Sequence, residues 1–121
     1  MAFMDVRPVN PGHLLVVPLA HAANLGVLPE EIGGHLFVVA QRLAAALTRS
    51  GVRREGVNLF LADGAVAGQE VFHVHVHVIP RFHGDGISLA AFGRLPATLP
   101  SREDLDGSAA AIRAALKTAG H

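Results

Sequence analysis

The chain has 121 residues, half of them apolar, with ten basic and ten acidic side chains in balance and no cysteine. That length suits one domain with enough apolar material for a core. Balanced charge excludes a basic face for duplex nucleic acid, and the lack of cysteine excludes disulfides, thiolate catalysis and cysteine-ligated zinc.

"AFMDV" opens the chain as a short apolar strand, and Asn10-Pro11-Gly12 marks a turn after it. "HLLVVP", His13 to Pro18, is a continuous apolar run of strand length. "LPEEIGGHLFVVAQRLAAALTRSG" reads as a helix, because Ile32, Leu36, Val39, Leu43 and Leu47 recur at three and four. Pro29 and two glutamates open it, and Gly51 is the expected stop. Its apolar run is interrupted by Gln41 and Arg42, so it is too short and too polar to span a membrane. Gly56 to Gly64 is a further strand, and Glu70 to Ile79 is the strongest strand pattern, with Pro80 expected to end it. "RFHGDGISLAAFGRLPATLP" reads as a loop. Ser101 with Asp104 three residues on caps an alanine-rich helix over about 101–118. The expected order is β, β, α, β, β and a tail helix. That is an α+β domain, an antiparallel sheet with one long helix on a face and a C-terminal helix. The N-terminus has no signal-peptide pattern, so a soluble, cytoplasmic protein without membrane or nucleic-acid partners is expected.

The chemistry concentrates in "EVFHVHVHVIPRF", Glu70 to Phe82. Side chains alternate faces along a strand, so His73, His75 and His77 share one face and Val74, Val76 and Val78 the other. Imidazoles two apart lie roughly 6.5–7 Å apart along the backbone, near enough to act on one small group. Three readings compete. Neutral imidazoles ligate zinc, but no acidic partner stands at a clear spacing, since Glu70 falls on the valine face. A bland half-exposed polar face is the second. The third is nucleophilic: an imidazole attacks phosphorus, and its neighbours donate to phosphate oxygens. His75, flanked on both sides, is then the nucleophile, and Gln69 can donate to phosphate or orient water. His13 follows a turn glycine and is expected to face out or bond locally. His35 reads as a surface or core-boundary residue of the helix, and His83 and His121 as solvated residues of loop and tail.

"HVHVHVI" resembles the His-φ-His-φ-His-φ-φ signature of the HIT (histidine triad) superfamily of nucleotide hydrolases and transferases. "AGQEVFHVHVHVIPRFHGD" and "FMDVRPVNPGHLLVVPLAH" extend the likeness over roughly Ala2 to Leu89. The resemblance implies a HIT-like fold that pairs as a homodimer, needs no cofactor, and acts on purine nucleoside 5'-phosphate derivatives, phosphoramidates or dinucleoside polyphosphates, through a nucleotidyl-histidine. It assigns His75 as nucleophile, His73 and His21 as hydrogen-bonded support, His77 and Gln69 as phosphate contacts, Asp5 as the ribose acceptor, and Phe3 and Val6 as the nucleoside wall. A metal-binding hydrolase and a nucleotide-binding module without turnover are the alternatives. The chain departs from the family in lacking a segment before "AFMD", in Ala62 where a side-chain amide is usual, and in Glu70 where some branches carry a hydroxyl. It also has Leu19 and Ala20 where a basic residue is common.

Overall fold

In the computed structural model, residues 1–87 and 99–118 are described. Strands β1 (Ala2–Met4) and β2 (Leu14–Val16) are followed by helix α1 (Glu30–Arg49), strands β3 (Gly56–Phe60) and β4 (Val76–Arg81), and helix α2 (Arg102–Thr118). The four strands form one sheet in the order β1-β2-β4-β3, and every neighbouring pair is antiparallel. This is the expected α+β arrangement. Of the loop anticipated over 81–100, residues 88–98 lie outside the described residues, as does His121.

The helices end where their sequences dictate. Ser50 donates from its main-chain N–H and its hydroxyl to the Leu47 carbonyl, and Gly51 follows in the left-handed region (φ +80°). At the start of α2 the Asp104 N–H donates to Ser101 Oγ at 3.0 Å, and the Ser101 N–H donates to the Asp104 carboxylate, a reciprocal cap with Asp in the role usually taken by Glu. The apolar stripe of α1 buries Leu36, Ala40, Leu43 and Leu47 against Leu14, Val16 and Val78 on one face of the sheet. Burying side chains of this size contributes about 1.5–3 kcal/mol each. Helix α2 adds Ile112 and Ala115 to the same core, packed on α1.

All four strands have other bounds than the sequence pattern suggests: β1 ends at Met4, and β2 keeps only Leu14–Val16 of His13 to Pro18. The third strand stops at Phe60 rather than reaching Gly64. The fourth starts only at Val76, not Glu70, and runs through Pro80 to Arg81. Its ladder begins late because both neighbours end beside it: β2 pairs no further than Val16↔Val76, and β3 no further than Phe60↔His77. Pro18 ends β2, and Asp63 and Gly64 turn the chain after β3. Proline is tolerated at position 80 because its carbonyl accepts from Asn10 Nδ2 at 2.9 Å, on the side beyond the end of β2. A residue's N–H and C=O point to the same side of a strand, so the missing donor is on that side too, and pairing with Val57 of β3 is untouched.

The turn between β1 and β2 is closed by the His13 N–H donating to the Asn10 carbonyl at 3.1 Å. Pro11 and Gly12 occupy its centre, and Gly12 has φ +93°, the arrangement of a type II turn. A Cβ on Gly12 would sit 2.6 Å from Val52 Cγ1 and 3.3 Å from Pro80 Cγ. Gly12→Ala is therefore expected to destabilise the fold by about 1–3 kcal/mol, read as a lowered midpoint in thermal or urea unfolding. A wild-type midpoint in the variant would contradict this account of the turn.

Candidate active site

The site lies on the sheet face opposite α1. The strand register sets Phe3 of β1 beside Leu15 of β2, Leu15 beside His77 of β4, and His77 beside Phe60 of β3. His13 lies two residues before Leu15, on the same face. It is 2% exposed, and its Nε2 is 2.9 Å from His77 Nδ1.

The partners of these rings fix their protons. The Val9 main-chain N–H approaches His13 Nδ1 at 3.0 Å. A main-chain amide can only donate, so Nδ1 must be a bare acceptor. Burial pushes the His13 imidazole down to about 4, so the ring is neutral and its one proton sits on Nε2. That proton is donated to His77 Nδ1. His77 is likewise lowered to about 4, first by burial and then by His13 and His75, with Asp5 opposing. With Nδ1 accepting, neutral His77 carries its proton on Nε2 and is a hydrogen-bond donor there.

His75 has the opposite polarity. Its Nδ1 lies 2.8 Å from the His73 carbonyl, which can only accept. The proton is therefore on Nδ1, and Nε2 holds a lone pair. The His75 and His77 rings meet edge to face at 5.0 Å. His73 Nε2 donates to the Pro18 carbonyl at 2.9 Å, and its Nδ1 is 3.3 Å from His21 Nδ1. A ring nitrogen with an outward lone pair thus stands next to one imidazole donor.

His73 and His75 precede β4 and are not part of its ladder. They are held instead by the carbonyls of residues 18–22: the Val74 N–H donates to the Ala22 carbonyl at 2.8 Å, and the His73 ring to Pro18. Val74 and Val78 are buried and Val76 is partly buried, so the alternation persists without the ladder.

Gln69 departs from the expected phosphate contact. It is 4% exposed; Oε1 accepts from the Gly64 N–H at 2.8 Å, and Nε2 donates to the carbonyls of Ala23 and Val71 at 2.8 and 3.1 Å. Both ends of the amide are occupied by backbone, so the side chain ties together three segments behind the triad. Asp5 lies at the site's edge, with Oδ1 accepting from the Arg7 N–H at 2.8 Å and Oδ2 3.6 Å from His13 Nε2. Phe3 and Val6 are exposed beside it. His13, expected to face out or bond locally, is buried: its Nδ1 does bond locally, to Val9, and its Nε2 reaches His77. Its strand parity was visible, but its pairing with His77 depends on a register that parity alone does not give.

The HIT domain family model matches residues 1–84. The chain belongs to the HIT family. A HIT-like protein of Borreliella burgdorferi is 38% identical over 96 residues, 78% of this chain and 69% of the relative. The adenosine 5'-monophosphoramidase of Saccharomyces cerevisiae is 38% identical over 80 residues, 66% of this chain and 48% of the yeast protein. The crystal structure of a zinc-bound histidine triad family protein from Mycobacterium smegmatis superposes with a TM-score of 0.82 at 34% identity, covering 98% of this chain and 78% of that one.

Zinc in that relative prompts a test of the donor set of this HIT chain. Among the described residues, Asp5, His13 and His77 offer ligand atoms within 4.8 Å of one another. They do not fit a metal as arranged. His13 Nε2 carries the proton, and its lone pair on Nδ1 is taken by the Val9 N–H. Ligation through Nε2 would require the proton on Nδ1 and would break that bond. The cluster is a hydrogen-bonded pair of imidazoles beside a carboxylate.

The buried imidazole of His13 also sets a pH dependence. His13 is held at about 4 in the folded chain, below the ordinary 6.5. Between these values the unfolded chain takes up a proton that the folded chain refuses. Stability is thus present in full above about 6.5 and lost as pH falls toward 4. Thermal midpoints should drop across that window, and His13→Gln, which cannot titrate there, should flatten the drop. Gln69→Leu should lower stability by about 1–3 kcal/mol per buried backbone group left unpaired, measured by chemical denaturation; an unchanged midpoint would show that the amide is not a tie.

Proposed function

We propose that the protein is a nucleotide hydrolase or nucleotidyl transferase acting on purine nucleoside 5'-phosphate derivatives, phosphoramidates above all, through a nucleotidyl-His75 intermediate. The observation that carries this reading is the pinning of His75 Nδ1–H on the His73 carbonyl. It leaves Nε2 as a directed lone pair without any proton transfer beforehand. In the first step that lone pair forms a bond to the α-phosphorus, and the bond from phosphorus to the leaving amine or alkoxide breaks. The leaving group departs with the bonding pair and takes up a proton. The imidazole becomes a cation, and its Nδ1–H bond to the His73 carbonyl strengthens as the charge develops. The His77 Nε2–H donates to a phosphate oxygen, where charge builds in the transition state. In the second step water attacks phosphorus, the P–N bond returns its pair to His75 Nε2, and the water loses a proton. An alcohol or phosphate in place of water makes the reaction a transfer.

Other parts of the site suit the same substrate. Phe3 and Val6 offer exposed apolar surface for a base, and Asp5 a carboxylate for ribose hydroxyls. His73 and His21 stand behind the nucleophile. The yeast relative's named activity is of this class. Pairing of two copies belongs to the reading as well: β3 is an edge strand, and Phe37 and Val38 on α1 are exposed apolar side chains. A reaction on nucleotides also suits the cytoplasm, which holds them.

Incubation with adenosine 5'-phosphoramidate, quenching and mass spectrometry should show one added nucleotidyl group on the peptide carrying His75. His75→Ala should abolish the adduct and lower turnover by at least roughly 10³-fold, as loss of a covalent nucleophile does. AMP binding without turnover or adduct in the wild type would overturn the reading in favour of a binding module. Light scattering at twice the chain mass, reduced to a single chain by Phe37→Glu, would support the dimer.

A further inference from the structure

The proton order of the His13–His77 pair depends on a main-chain amide that has no fixed place of its own. Val9 lies in the connection between β1 and β2, outside any ladder. Its approach to His13 Nδ1 requires the connection to sit at one depth against the sheet. Asn10, the next residue, supplies that depth. It is 6% exposed, and its Nδ2 donates to the Pro80 carbonyl and to Asp85 Oδ2, both at 2.9 Å. Its own carbonyl accepts from His13. The Asp85 carboxylate is in turn immobilised by Arg81 Nε at 2.7 Å and by the N–H groups of Phe82 and Ile87. Arg81 also donates to Asn58 Oδ1 of β3 and to the Ile87 carbonyl. One buried amide therefore fastens the Val9 segment to the end of the strand that carries His77.

We infer that Asn10 is a positioning residue that sets the tautomers of His13 and His77, by holding the Val9 N–H on His13 Nδ1 so that His77 Nε2 is the protonated nitrogen facing the phosphate. If the Val9 N–H withdraws, His13 is free to carry its proton on Nδ1. Nε2 then becomes an acceptor, His77 must donate from Nδ1, and His77 Nε2 becomes a bare lone pair. A lone pair facing a phosphate oxygen repels it where a proton would bind it. The clamp thus acts on catalysis through two rings and touches no substrate. The activity part of this inference rests on the nucleotidyl-histidine reading; the tautomers themselves do not.

Long-range proton–nitrogen NMR correlation on histidine-labelled protein reads the device directly. In the wild type at pH 7.5, His13 and His77 should both show a protonated Nε2 and a bare Nδ1, and His75 the reverse. In Asn10→Ala, His13 and His77 should shift toward protonated Nδ1 while His75 keeps its state. Turnover of adenosine 5'-phosphoramidate should fall roughly ten- to a hundredfold, the usual size when a residue that orients a reacting imidazole is removed. A variant that loses activity with unchanged tautomers overturns the inference, as does one that keeps both. Should Asn10→Ala fail to fold, the wild-type spectrum still decides: a protonated Nδ1 on either His13 or His77 overturns it. Should the wild type not turn over nucleotides at all, the proposed function fails while the NMR arm reads the tautomers independently.

Discussion

A buried and a partly buried imidazole side by side, with one proton between them, constrain everything else at this site. At 2.9 Å, His13 and His77 cannot both present a proton to each other, and neither can charge without a large desolvation cost. Each ring must stay neutral, and each must have its remaining nitrogen matched by a group of the right polarity. On the His13 side that group is the Val9 N–H. On the His77 side the remaining nitrogen, Nε2, carries the proton. The proton order therefore runs from a loop amide through both rings to His77 Nε2.

The fold supplies the opposite order one step along the chain. His75 is turned so that its proton is held by a carbonyl and its lone pair is outward. Adjacent side chains of one face thus present a lone pair and a donor, although both are histidine. The difference comes from what lies behind each ring, a carbonyl in one case and a ring nitrogen in the other. The ends of β2 and β3 make this possible. Where the ladder stops, at Val76 on one side and His77 on the other, the backbone carbonyl of His73 is released from strand pairing and can accept from a side chain. A strand continuing back to Glu70 would have committed some of these main-chain groups to neighbours.

Much of this was legible in the amino-acid order. The alternation of histidine and valine put one set on the core and the other on the open face, and Val74 and Val78 are buried as that alternation requires. The stripe on α1, the Ser101–Asp104 cap and the Gly51 stop follow from local preferences and appear as such. The late start of β4 was hidden, because strand length depends on when the neighbours end. Pro80 inside the strand was hidden for the same reason: proline is excluded only where its N–H would face a partner. Gln69 beside a glycine reads as a ligand contact, and only the carbonyls of Ala23 and Val71 show that its amide is already occupied.

The sequence by itself determined the chemistry available: three imidazoles on one face, a valine face to anchor them, and no thiol. It could do so because side-chain alternation and helical periodicity are local properties of the backbone. Only the tertiary structure decided which nitrogen of each imidazole is bare and which is protonated. That choice belongs to the partners, and the partners are distant: His13 lies 64 residues from His77, and His73 lies 55 from Pro18. A histidine's role is set by the polarity of the atom behind its ring, and the strand register and the Asn10 turn put that atom there.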